Sequence, residues 1–114
     1  MKKKIVCFDI DNVICLTKNN AYRNSVPIKK NIYYVNKLYN RFYIKLFTAR
    51  YMGRNDDNIE KGYAQGYSFT VKQLKKWKVK YHELIMGKPS FDIVIDDKSV
   101  HYKKNWYKLI LKKL

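Results

Sequence analysis

A chain of 114 residues with a formal charge of +16 is long enough for one hydrophobic core and too short for two. Its 46% hydrophobic and 16% aromatic content is that of a globular protein and excludes a disordered one, and no apolar run approaches the roughly 20 residues of a membrane span. The charge favours anionic partners. Yet Lys far outnumbers Arg, and Asn, Ile and Tyr are abundant, which is the bias of an AT-rich genome. With no Arg cluster and no zinc-finger spacing, nucleic acid is not the expected partner.

The basic start Met1–Lys4 is followed by an apolar run, Ile5 to Phe8, that reads as a first strand suited to the centre of a parallel sheet. Asp9 and Asp11 interrupt the apolar stretch behind it, so secretion is not expected and a cytoplasmic location is. Cys7 and Cys15 fit no metal or redox spacing and read as reduced thiols. Residues 12 to 27 read as a polar loop ending at Val26-Pro27. Ile28, Ile32, Val35 and Leu38 then recur at helical spacing, predicting a helix to about Asn40.

Tyr43 to Phe47 is a second strand that runs into Thr48-Ala49-Arg50. The glycines and aromatics of residues 51–69 show no period and read as loop. Thr70 is a candidate N-cap for a helix burying Val71, Leu74 and Trp77. His82–Met86 reads as a third strand leading to Gly87-Lys88-Pro89, and Ile93-Val94-Ile95 as a fourth that opens onto Asp96-Asp97. The tail from Ser99 is basic and helical in pattern, with Trp106, Ile110 and Leu114 on one side. Alternating strands and helices predict an α/β fold. The expected form is a single domain over residues 1–114: a Rossmann-like parallel sheet of about four strands, helices on both faces and no cap domain.

Each predicted strand end carries a chemically useful group: Asp9 and Asp11, then Thr48, then Lys88, then Asp96 and Asp97. Parallel strands put their C-terminal ends on one edge, where open α/β sheets bind ligands. Singly, each residue has a plain explanation as a cap or a solvated turn residue. Together, and in this order, they point to one cleft.

The ordered set resembles the haloacid dehalogenase superfamily of phosphohydrolases. The resemblance rests on Phe8-Asp9-Ile10-Asp11, Leu46-Phe47-Thr48-Ala49-Arg50, Gly87-Lys88-Pro89 and Ile95-Asp96-Asp97-Lys98. A narrower likeness is to small bacterial phosphatases of this superfamily associated with capsule and surface-polysaccharide synthesis. It rests on Thr48 to Gly53, on Thr70 with Leu74 and Trp77, and on Gly-Lys-Pro ahead of Ile-Asp-Asp. The superfamily usually has Gly after the second Asp; here Asn12 stands there, the residue next most tolerant of a left-handed backbone.

The resemblance implies a Mg²⁺-dependent phosphomonoesterase. Asp9 would be the nucleophile that becomes an aspartyl-phosphate, and Asp11 the acid and base. Thr48 and Lys88 would hold phosphoryl oxygens, and Asp9, the Asp11 backbone carbonyl, Asp96 and Asp97 would supply oxygen ligands, which suit Mg²⁺. Such a reaction needs acceleration of up to roughly 10²¹, so the charge on a phosphate dianion must be met by cations and donors. Ala49, Arg50, Arg54 and the loop tyrosines are the further candidate substrate contacts, with only residues 12–27 and 51–69 free to cover the cleft.

A small phosphorylated metabolite, first a sugar phosphate, is the expected substrate, and a homo-oligomer closing the site is a further expectation. Nucleotides and nucleic-acid ends are the alternative substrates. A receiver-type signalling domain would need an Asp ending a middle strand ahead of the Thr, and none stands between Asp11 and Thr48. A basic module lying on anionic membrane through Tyr102 to Leu114 is the non-enzymatic alternative. A stripe of that kind is more commonly buried against the protein's own sheet.

Overall fold

The computed structural model describes residues 2–114. The apolar run after the lysines forms β1 (Ile5–Phe8), followed by a short antiparallel pair, β2 (Cys15–Leu16) and β3 (Val26–Pro27). Next come α1 (Lys29–Tyr39), β4 (Tyr43–Thr48), α2 (Ile59–Lys76), β5 (Glu83–Met86) and α3 (Trp106–Lys113). The main sheet has the order β1-β4-β5, all parallel, with Val6 opposite Ile44, Phe8 opposite Leu46 and Thr48 opposite Met86. Parallel strands need long crossovers, which α1 and α2 supply. The C-terminal ends of the three strands therefore share one edge.

Three strands stand where about four are expected, and β4 takes the centre instead of β1. Ile93, Val94 and Ile95 lie outside any strand, 82%, 61% and 96% exposed, and among the described residues the outer edge of β1 has no strand partner. Helices do not cover both faces equally. Val6, Phe8, Ile44 and Leu46 share one core with Ile32, Val35 and Leu38 of α1, Leu74 of α2, and Trp106 and Ile110 of α3. On the opposite face Ile5 and Cys7 are exposed, and Lys45 pairs with Glu83 at 3.7 Å. No cap domain is present among the described residues.

α2 starts eleven residues before the expected Thr70. Its N-cap is Asn58, whose Oδ1 accepts from the Lys61 amide at 3.0 Å. Gly62 and Gly66, which read as breakers in the sequence, lie on the buried face of the helix. A methyl group at Gly66 would overlap the Tyr51 ring, so the glycine is required by close approach of a side chain and not by a turn. The aromatics that blurred the period sit on the outside, where Tyr63 and Tyr67 stack at 4.5 Å.

The tail packs inward. Trp106 meets Phe8 edge-to-face at 5.4 Å and donates its indole N–H to Asn31 Oδ1 at 3.0 Å. Asn31, itself buried, donates in turn to the Val13 carbonyl and to the Tyr102 hydroxyl. One amide thus ties α1, the loop after β1 and the approach to α3. Leu114, expected on the same stripe, is 41% exposed. No helix among the described residues is long and apolar enough to cross a membrane.

Candidate active site

The edge formed by the three strand ends opens on a cavity of about 430 Å³ whose walls include Asp9, Asp11, Arg54 and Lys88. Asp9 leaves β1 with Oδ1 held by the Ile10 amide at 2.9 Å, and its Oδ2 lies 3.6 Å from Lys88 Nζ. Burial pushes the Asp9 carboxyl above its ordinary pKa, with Lys88 and the Ile10 amide opposing and Asp11 adding to the rise. Lys88 follows Gly87, which takes φ 96°, a conformation open to glycine at no steric cost. The Lys88 amide donates to the Thr48 carbonyl at 3.1 Å, so β4 and β5 stay joined at the site.

Asp11 is gripped from below. Arg50 Nε donates to Asp11 Oδ2 at 2.9 Å, Arg50 Nη2 to Oδ1 at 2.9 Å, and the Thr17 hydroxyl to Oδ1 at 2.6 Å. This fork-to-carboxylate geometry is the strong, orienting form of the pair. Arg50 is 1% exposed; Nη1 donates to Gln73 Oε1 at 2.6 Å and its plane lies 4.9 Å from the Tyr22 ring. Burial works against the Arg50 cation, but Asp11 more than restores it, and the guanidinium is held above its ordinary pKa. Cys15 packs beside the pair, its thiol pushed up by burial. Arg50, an expected substrate contact, lines the cavity, and its guanidinium is engaged by Asp11 and Gln73.

Asn12 adopts φ 68°, the left-handed turn that the missing glycine would have taken, and its Oδ1 accepts from the Thr17 amide at 3.3 Å. Thr48 is fully buried; its Oγ1 accepts from the Arg50 amide at 3.1 Å, while the neighbouring Ala49 lines the cavity. The Thr48 hydroxyl thus stands behind the cavity wall, with its proton still available.

Asp96 and Asp97 are not gathered with Asp9 and Asp11. Both are exposed, and Asp96 Oδ1 caps its own turn by accepting from the Lys98 amide at 2.8 Å. Together with Asp9 they flank a second, larger groove along the open edge of β1. Among the described residues no group of three or more acidic, His or Cys side chains stands close enough to hold a metal ion. The expected Mg²⁺ ligand set of Asp9, Asp11, Asp96 and Asp97 is all-oxygen, as the ion prefers. It is not assembled in this conformation, because the segment carrying the last two is unpaired.

No family model matches the chain, and no curated protein matches it. A crystal structure of a Vibrio cholerae structural-genomics target is similar over nearly its whole length. It is 24% identical, with 96% of this chain and 98% of that chain covered and a TM-score of 0.80. That likeness shows the fold alone.

Gln73 and Thr17 are site residues that sequence reasoning missed, whereas Tyr22 and Tyr51, two of the expected loop tyrosines, line the cavity. Gln73 also donates Nε2 to the Tyr22 carbonyl at 2.8 Å, linking α2 to the loop over the cavity. Thr70 and Gln73, one helical turn apart, both face Arg50, and that spacing becomes informative once α2 is known to begin at Ile59. As arranged, Asp9 presents a carboxylate oxygen beside a cation. Both oxygens of Asp11 accept hydrogen bonds from Arg50 and Thr17, so proton transfer in either direction requires its side chain to turn away from Arg50.

Proposed function

We propose that the chain is a Mg²⁺-dependent phosphomonoester hydrolase of the haloacid dehalogenase type, acting through an aspartyl-phosphate intermediate on Asp9. The observation that carries this reading is the pairing of Asp9 with Lys88 across one cavity that also contains an Arg50-anchored Asp11. Lys88 draws a phosphoryl group toward Asp9 and offsets the repulsion between dianion and carboxylate. Asp9 Oδ2 attacks phosphorus and the ester oxygen departs, taking a proton from Asp11, which has turned away from Arg50 and picked up that proton from solvent. Asp11 then accepts a proton from the water that hydrolyses the acyl-phosphate. Thr48 orders the turn carrying Ala49 and Arg50 and supports the phosphoryl site from behind.

The metal belongs to a closed form of the same fold. In it Ile93-Val94-Ile95 adds as a fourth parallel strand on the free edge of β1, giving a Rossmann-like sheet, and delivers Asp96 and Asp97 to Asp9. Three consecutive exposed apolar residues, an unpaired strand edge and an intervening groove support this arrangement. When bound there, Mg²⁺ would supply charge neutralisation for the phosphoryl oxygens. A sugar phosphate of surface-polysaccharide synthesis in the cytoplasm is the substrate and setting we assign, with nucleotides as the alternative. The test is a panel of phosphorylated metabolites assayed with Mg²⁺ and with EDTA. Phosphate release from small monoesters that stops on chelation supports the assignment, and release unaffected by exhaustive chelation removes the metal from it.

A further inference from the structure

The cavity has one more cation than its carboxylates use. Asp11 is matched by Arg50 and Asp9 by Lys88, whereas Arg54 takes part in none of the ion pairs among the described residues. Arg54, though exposed, rests on two rings and a carbonyl. Its guanidinium carbon lies 4.7 Å from the Tyr51 ring centre and 5.4 Å from that of Tyr22, and Nη2 donates to the Asn20 carbonyl at 3.3 Å. Cation–π contacts of this kind orient an Arg while leaving most of its donors free.

The platform beneath it is built at a cost. Tyr51 sits at φ 65°, a left-handed conformation that a bulky residue rarely adopts. Three features hold it there. Its ring lies over Gly66, where any larger residue would collide; it packs against Tyr22 at 4.9 Å; and its carbonyl accepts from Asn55 Nδ2 at 2.7 Å. A strained aromatic seated in a glycine notch thus carries an arginine in no ion pair among the described residues, at the wall of the cavity that holds Asp9 and Lys88.

We propose that Arg54 receives a second anionic group of the substrate, so that the preferred substrate is a phosphomonoester carrying a further phosphate or carboxylate. The inference rests on the phosphatase reading for the role of Asp9 and Lys88, but the Arg54 contact itself can be tested without turnover. A cavity of about 430 Å³ falls within the usual range for small ligands and accommodates such a molecule. The two sources of the second anion, phosphate and carboxylate, offer the same chemistry to a guanidinium fork.

The experiment is calorimetric titration without metal. The ligands are methylphosphonate, α,ω-bisphosphonates with one to six methylenes, and the matching phosphonocarboxylates. Wild type should bind at least one bisphosphonate or phosphonocarboxylate about 10- to 100-fold more tightly than methylphosphonate, the worth of a charged hydrogen-bonded contact. Which series binds more tightly assigns the second anion. Arg54→Gln should collapse that preference to within about threefold, and Arg54→Lys, which keeps charge but not the planar fork, should fall between. A wild type without preference overturns the proposal, as does an Arg54→Gln variant that retains it. If the preference holds but no phosphomonoester is hydrolysed with Mg²⁺, the second-anion contact stands and the phosphatase reading alone falls.

Discussion

The two acidic pairs of this protein, Asp9 with Asp11 and Asp96 with Asp97, have similar chemistry and opposite surroundings. The first leaves a paired strand and is held by Lys88, Arg50, Thr17 and a backbone amide. The second follows an unpaired apolar segment in solvent, with Asp96 bonded to its own turn. A carboxylate is positioned by what neutralises and hydrogen-bonds it, so the first pair is organised by the chain alone. Among the described residues the second pair takes part in no ion pair, and on the proposed reading an Mg²⁺ ion shared with Asp9 would organise it.

The largest expected effect concerns the organised pair. Asp9→Asn deletes the attacking oxygen while keeping the shape, and should abolish measurable turnover with the fold intact by circular dichroism. Retention of a tenth of wild-type kcat would show that Asp9 does not attack. Ile93 and Ile95 provide the converse case. Because both are exposed, Ile93→Asp with Ile95→Asp should change metal-free stability by no more than about 0.5 kcal/mol, as for ordinary surface changes. The same variant should lower Mg²⁺-supported activity at least tenfold, about 1.4 kcal/mol in the barrier, by blocking addition of the fourth strand. Full activity in that variant would leave the open segment without a role.

Arg50→Met tests the anchor. Breaking a buried ion pair and stranding Asp11 should cost about 3 kcal/mol, read as a lowered denaturation midpoint. A loss below about 0.5 kcal/mol would mean that Arg50 does not hold Asp11. The smallest effect is on pH. Attack needs the Asp9 carboxylate, and burial raises the Asp9 pKa, so kcat/KM should fall as pH drops through a value above the ordinary carboxylate range. Lys88 opposes that rise, so Lys88→Met should shift the acid limb to still higher pH. A limb that stays in place, or moves down, would separate Lys88 from Asp9.

The same contrast explains what could be read from the sequence. β1, α1, β4 and β5 carry apolar periods that match what they bury, and they form within a residue or two of expectation. The left-handed turn at Asn12 was legible for the same local reason. Two readings depended on partners distant in sequence. Gly62 and Gly66 mimicked breakers while serving Met52 and Tyr51 across a helix face, which hid the first half of α2. Ile93–Ile95 had the pattern of a buried strand, but a strand needs an edge to join, and the pattern cannot say when that edge is taken. The Arg50 and Arg54 roles diverged for a similar reason: burial on Asp11 and stacking on Tyr51 are tertiary facts.

The most direct measurement uses Asp11→Asn with an aryl phosphate and Mg²⁺. A good leaving group needs no proton on departure, so Asp9 should still be phosphorylated. Hydrolysis should then stall for want of a base, a loss of roughly 10²–10⁴-fold. Intact-mass and peptide analysis, with hydroxylamine trapping, should find the phosphoryl group on the peptide containing Asp9. A label on Asp96 or Asp97, or an Asp11→Asn enzyme that turns over like wild type, would contradict the account.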